Sequence, residues 1–203
     1  MALRKNQIYF TVLFLVVFGL LPTVAEEASP RHTVDTLLNS ISNLKTDRQL
    51  TVTELKTNES LSYRALALLD LQEVGRKALG KYWKERTSME KKGFIDLLGQ
   101  MFIKEAFPNS GKFFSTLKLV YGQTTINKSK ASVPLTVIHE KEGEIGIDFH
   151  LHKNSGQWLV VDGDLDEISM GNNLRSKFYK IISKNDYQEL IRRMEEKLVK
   201  IKS

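Results

Sequence analysis

Four apolar residues, Ile145, Ile147, Phe149 and Leu151, alternate without a break with Gly146, Asp148, His150 and His152. Successive side chains of a β-strand point to opposite faces, so this run reads as a strand with one face to bury and one polar face. A sheet built on such a strand needs an apolar layer over one side only, and that requirement constrains the fold more than any other feature. Strand patterns also occupy residues 117–126, 132–140 and 157–166, set apart by turn residues, with Asn154-Ser155-Gly156 turning the chain into Trp158.

Helical patterns lie on both sides of these strands. Ser29-Pro30 is suited to start a helix whose face is Val34, Leu37, Leu38, Ile41 and Leu44. Residues 45–60 are polar, without glycine or proline, and read as a link with room for helical pieces, its shape left open. Residues 62–85 read as one helix with Leu71, Val74, Ala78 and Tyr82 on one side, weakened at Gly75 and Gly80. Thr87-Ser88-Met89-Glu90 has capping-box spacing and opens an amphipathic helix carrying Phe94, Leu97, Leu98, Met101 and Phe102, which Pro108, Asn109 and Gly111 end. Beyond the strands, Leu174, Phe178, Ile181 and Ile182 form one helical face. Leu190, Ile191, Met194, Leu198 and Ile201 form another, after an Asn185 cap. The order predicts an α+β fold: a twisted antiparallel sheet of about four strands packed against a layer of helices, enclosing an apolar cavity.

The N-terminus has the anatomy of a cleavable export signal: Arg4 and Lys5, an apolar run from Ile8 to Leu21, then Pro22-Thr23-Val24-Ala25 before Glu26-Glu27. The run is 14 residues long, short of the roughly 20 that span a bilayer as a helix. Cleavage is expected after Ala25, leaving residues 26–203 as a single domain. Removing Arg4 and Lys5 from the 30 basic residues leaves 28 against 24 acidic ones, a mild excess without the aromatic-basic clustering of a nucleic-acid platform, so no nucleic-acid partner is expected. The chain has no cysteine, which excludes disulfides, thiol catalysis and thiolate metal sites.

Candidate chemistry is sparse. His150 and His152 share a strand face with Asp148, a metal-ligand arrangement that is equally an exposed polar face. Asp162, Asp164 and Asp166 alternate at a strand end, but lack the glycine and the bidentate glutamate of a calcium loop. No P-loop, dinucleotide fingerprint or nucleophile elbow is present, so no catalytic residue, metal or cofactor is assigned. Leu97, Met101, Phe102, Val137, Ile147, Phe149, Trp158 and Val160 suit the lining of an apolar pocket and equally an ordinary core.

Two stretches carry a resemblance. The first is Leu69-Asp70-Leu71 with Ala78-Leu79-Gly80-Lys81-Tyr82-Trp83 and the helix after it. The second is Trp158-Leu159-Val160-Val161-Asp162, Ile168-Ser169-Met170 and Asn173-Leu174-Arg175-Ser176-Lys177-Phe178. Together they resemble the MlaC family of periplasmic phospholipid-binding proteins, with Glu167 and Leu174 departing from its usual glycine and tyrosine. The resemblance implies a sheet and helices around a cavity for acyl chains, with Phe178 added to the lining and Asn173, Arg175 and the strand from Trp158 to Asp162 defining the fold. It also implies a carrier that shuttles phospholipid through the periplasm between an outer-membrane lipoprotein complex and an inner-membrane ABC transporter complex with its periplasmic lipid-binding subunit. The alternative is a small cavity-containing enzyme of the cell envelope, a hydrolase or isomerase, with Asp148, His150, Asp162 or Asp164 turned into the cavity.

Overall fold

The alternating run forms the central strand of a six-stranded sheet in a computed structural model that describes residues 29–46, 49–139 and 143–202. The expected signal, residues 1–25, lies outside the described residues. The strands are β1 (Lys118–Tyr121), β2 (Thr125–Asn127), β3 (Lys130–His139), β4 (Gly143–Asn154), β5 (Gln157–Leu165) and β6 (Ile168–Ser169). Their order is β1-β3-β4-β5-β6, with β2 also on β3, and all pairs are antiparallel. Two features raise the count above the expected four. Residues 117–126 break into β1 and β2 around Gly122, whose N–H bonds Pro134 O at 2.8 Å. The other is β6, which is too short to show a period.

The hairpin between β4 and β5 turns through Ser155 (φ 48°) and Gly156 (φ 86°), a left-handed pair that matches the twist of the strands. Val161 bulges from β5, because His150 pairs with Asp162 while Leu151 pairs with Val160. Both Val160 and Val161 are buried as a result.

Ser29 caps α1 (Pro30–Ser42), accepting from His32 N at 3.2 Å. Within the segment read as a polar link starts α2 (Val52–Leu66), opened by a reciprocal box between Thr51 and Glu54 and running past residue 60. Only Ser62 and Ala65 of it are buried, so no apolar stripe betrays it. Residues 62–85 are not one helix. After α2 the chain extends alongside β5, with Val160 N bonding Leu68 O and Asp70 N bonding Val160 O, both at 2.9 Å. Asp70 then caps α3 (Leu71–Leu79), which runs into a 3-10 turn, Gly80–Trp83.

Pro108 does not end the next helix. Thr87 and Glu90 form the expected box at the start of α4 (Ser88–Met101), which continues through a π turn, Phe102–Ala106, into α5 (Phe107–Phe114). Proline lacks an N–H and its ring crowds the carbonyl four residues back. Widening the turn, so that Phe107 N bonds Phe102 O, places Pro108 in the first turn of α5. Two further helices, α6 (Met170–Lys184) and α7 (Tyr187–Lys202), complete the fold. Asn185 closes α6, its N–H on Ile181 O, and Asp186 rather than Asn185 caps α7, accepting from Glu189 N at 2.8 Å.

Candidate functional site

The apolar side chains form two packed clusters. One lies on the sheet, where Val133, Leu135, Val137, Ile147, Phe149, Leu151, Trp158 and Val160 meet α1 and Phe107. The other lies within the helices, where Leu79, Phe94, Leu97, Leu98, Phe178, Ile182, Leu190 and Met194 interlock and Phe94 meets Phe178 edge-on at 5.9 Å. Phe102, half-buried in the π turn, packs against both. Its ring lies 5.6 Å from that of Phe107. Gly99, one turn earlier, is closely approached, since a Cβ there would lie 3.3 Å from Leu71 Cδ1, tighter than an ordinary contact, and 3.5 Å from Leu66 Cδ2.

The nine residues expected to line a cavity therefore divide. Val137, Ile147, Phe149, Trp158 and Val160 belong to the sheet cluster, Leu97 and Phe178 belong to the helical one, Met101 packs on the helical one, and Phe102 joins the two. The two clusters meet along an apolar seam at Phe102. Leu66, Leu68, Leu69 and Ile103 border the sheet cluster and were not read from the sequence as lining. The consecutive Leu66-Ala67-Leu68-Leu69 was their signal, because such a run fits neither helical nor strand spacing on one face.

Polar joints cross the seam. Asp70 Oδ1 accepts from Glu73 N at 2.8 Å while Oδ2 lies 2.6 Å from His152 Nε2, tying α3 to β4. Asp162 accepts from Gly163 N at 2.8 Å, from Ser169 Oγ at 2.9 Å and from Gly171 N at 2.9 Å, while Ser169 Oγ caps α6. The Lys197 ammonium lies 2.5 Å from the carboxylate of Glu105 in the π turn. Asp148, by contrast, is exposed, and His150 Nε2 pairs with Asp164 Oδ2 at 2.8 Å, all on the sheet face away from Phe149. His150 and His152 thus bond separate carboxylates rather than converging on one point.

This arrangement of two clusters spans the region in which the chain matches the MlaC protein family, residues 31–196. The chain belongs to the MlaC family. No curated protein matches the sequence. Among solved structures the chain is similar to the phospholipid-binding protein of Ralstonia solanacearum, determined in complex with a phospholipid. The TM-score is 0.67 and the identity 16%, over 87% of this chain and 98% of that one, a likeness of fold.

The stretches that carried the MlaC resemblance are structural joints. Asp70 and Asp162 fasten α3 and α6 to the sheet. Gly80 has φ +49°, and a Cβ on it would lie 2.2 Å from the Tyr179 hydroxyl, which accepts from Lys81 N at 2.8 Å. Arg175 packs beside Gly80 and donates to Asn172 Oδ1. Trp158 anchors the sheet cluster, and its carbonyl accepts from Thr33 Oγ1 at 3.3 Å. At the Glu167 departure from MlaC glycine, both Asp166 (φ 46°) and Glu167 (φ 66°) are left-handed.

Proposed function

We propose that this MlaC-family chain is a phospholipid carrier whose acyl chains lie in the seam between the sheet cluster and the helical cluster. The observation that carries the reading is the family match over residues 31–196, which takes in both clusters and the residue that joins them. Likeness of fold to a protein determined with bound phospholipid supports it. So does the pairing of His150 with Asp164 on the sheet face opposite Phe149, which leaves neither turned toward the sheet cluster.

The physical demand on a carrier is large. Each methylene brought into water costs about 0.8 kcal/mol, so a chain of about sixteen carbons costs on the order of 12 kcal/mol. Apolar surface from Phe102, Phe149, Ile147, Trp158 and their neighbours replaces the bilayer interior, so loading is near neutral and direction is set by the partners. On this reading residues 1–25 direct export, residues 26–203 work in the periplasm, and the docking partners are an outer-membrane lipoprotein complex and an inner-membrane ABC transporter complex with its lipid-binding subunit.

Native mass spectrometry with lipid extraction, on protein purified from a periplasm without detergent, tests the reading. Diacyl phospholipid at about one per chain is expected. A folded protein that arrives empty and takes up no added phospholipid would overturn it.

A further inference from the structure

We propose that the end of the helical layer remote from the sheet is a docking surface for an anionic phospholipid bilayer. Both α3 and α6 begin at the sheet, through Asp70 and Asp162, while α4 runs into the π turn beside it and α7 reaches that turn through Lys197. Their opposite ends, residues 80–92 and the α6–α7 corner, therefore form one tip.

The tip collects charge and amphipathic rings together. Residues 80–92 hold five basic and two acidic residues, and residues 180–187 hold two basic and one acidic. The remainder of residues 26–203 holds 21 of each, so the tip carries the whole excess of positive charge. Lys81 Nζ lies 5.0 Å from the Tyr82 ring centroid and 5.7 Å from that of Tyr179, and Lys91 Nζ lies 5.5 Å from that of Trp83. Neither lysine has a carboxylate partner among the described residues, nor does Lys84, so these ammonium groups are available to an outside anion. Arg86, in contrast, is held by Glu85 and Glu90. Met89, in the same stretch, is 85% exposed.

The chemistry favours a bilayer over an acidic protein. Tyrosine and tryptophan with an apolar body and a polar edge settle at headgroup level, lysines extend over them to phosphates, and an exposed methionine suits the acyl boundary. A specific acidic protein is met more often by arginine, whose planar fork grips carboxylates in pairs, and the one tip arginine is already engaged. The proposal stands whether or not the seam holds lipid.

Vesicle flotation of the full exported chain decides it, using phosphatidylethanolamine vesicles with roughly a quarter phosphatidylglycerol, or phosphatidylcholine in its place, at about 50 and about 500 mM salt. The wild type is expected to float with the anionic vesicles at low salt only. Lys81→Glu with Lys84→Glu is expected to weaken binding at least 25-fold, at about fivefold per lysine lost. Met89→Ser, on a largely exposed side chain, is expected to weaken it several-fold with an unchanged salt dependence. Lys56→Glu with Lys112→Glu, the same charge change at exposed sites on α2 and α5, is expected to stay within about twofold. Failure of the folded wild type to float, or equal losses in both double variants, would overturn the proposal. So would full binding by the tip variant, which would place the bilayer contact elsewhere on the protein.

Discussion

His152 Nε2 and Asp70 Oδ2 lie 2.6 Å apart, joining the central strand to the first turn of α3. The same carboxylate caps α3 through Glu73 N. One buried side chain thus starts a helix and fastens it to the sheet, at the point where the sheet cluster passes into the helical one. Alternation alone places His152 on the polar face of β4; its partner lies 82 residues away in sequence.

Asp70→Ala removes both bonds. A lost cap costs about 1 kcal/mol and the lost carboxylate bond to the half-buried His152 about 2 kcal/mol, so a loss of about 3 kcal/mol is expected. His152→Ala removes only the second bond and is expected to cost about 2 kcal/mol. Urea unfolding of both variants checks the order; an equal or larger cost for His152→Ala would contradict the dual role of Asp70.

Phe102 is the sharper probe of the seam. Phe149 and Val160 are 9% and 6% exposed, so a charged residue at either is expected to cost stability along with lipid retention. Phe102 is half-buried and touches both clusters. Phe102→Ala is expected to cost about 2 kcal/mol, roughly half the loss for a fully buried phenylalanine, yet to lower co-purified phospholipid at least tenfold. Lipid per folded chain, measured beside urea unfolding, separates the effects. Unchanged lipid would remove Phe102 from the site.

The parts of the fold legible in sequence are those in which burial is one-sided. Along β4 the alternation has one buried face, and Thr87 with Glu90 announces α4 locally. The helix α2 was not legible from periodicity because it buries little more than Ser62 and Ala65, although the Thr51–Glu54 spacing was available. The break after Leu66 depends on backbone bonds to Val160, nearly a hundred residues on. Pro108 misled because its cost is absorbed by the π turn rather than by a helix end. For the site, the apolar identity of Phe149, Trp158 and Leu97 was legible. Their division between clusters was not, because it follows from tertiary packing around the Val161 bulge and Phe102.

Acid is expected to loosen the start of α7. Hydrogen bonds from Arg192 and then Arg193 pull the Glu189 carboxyl down from 4.5 to about 2. A carboxylate whose pKa is depressed on folding stabilises the fold above its unfolded value, and that contribution fades as pH falls from about 4.5 toward 2. Circular dichroism at low salt is expected to show helix signal lost over that window, with a smaller loss in Glu189→Gln. Identical acid profiles would place the transition elsewhere.

Glu167→Gly is expected to stabilise the protein. Left-handed backbone costs a residue with a Cβ roughly 1 kcal/mol, and glycine recovers most of it at the expense of unfolded-chain entropy. A net gain of about 0.5 kcal/mol, or about 1–2 °C in Tm, is expected from thermal unfolding. Asp166 is equally left-handed, but its Oδ1 accepts from Gly146 N at 3.1 Å, so Asp166→Gly gives up a bond in exchange for the relief. It is expected to be neutral or destabilising by up to about 1 kcal/mol. If the two glycine variants stabilised equally, the bond from Gly146 would contribute nothing, and backbone strain alone would govern the turn between β5 and β6.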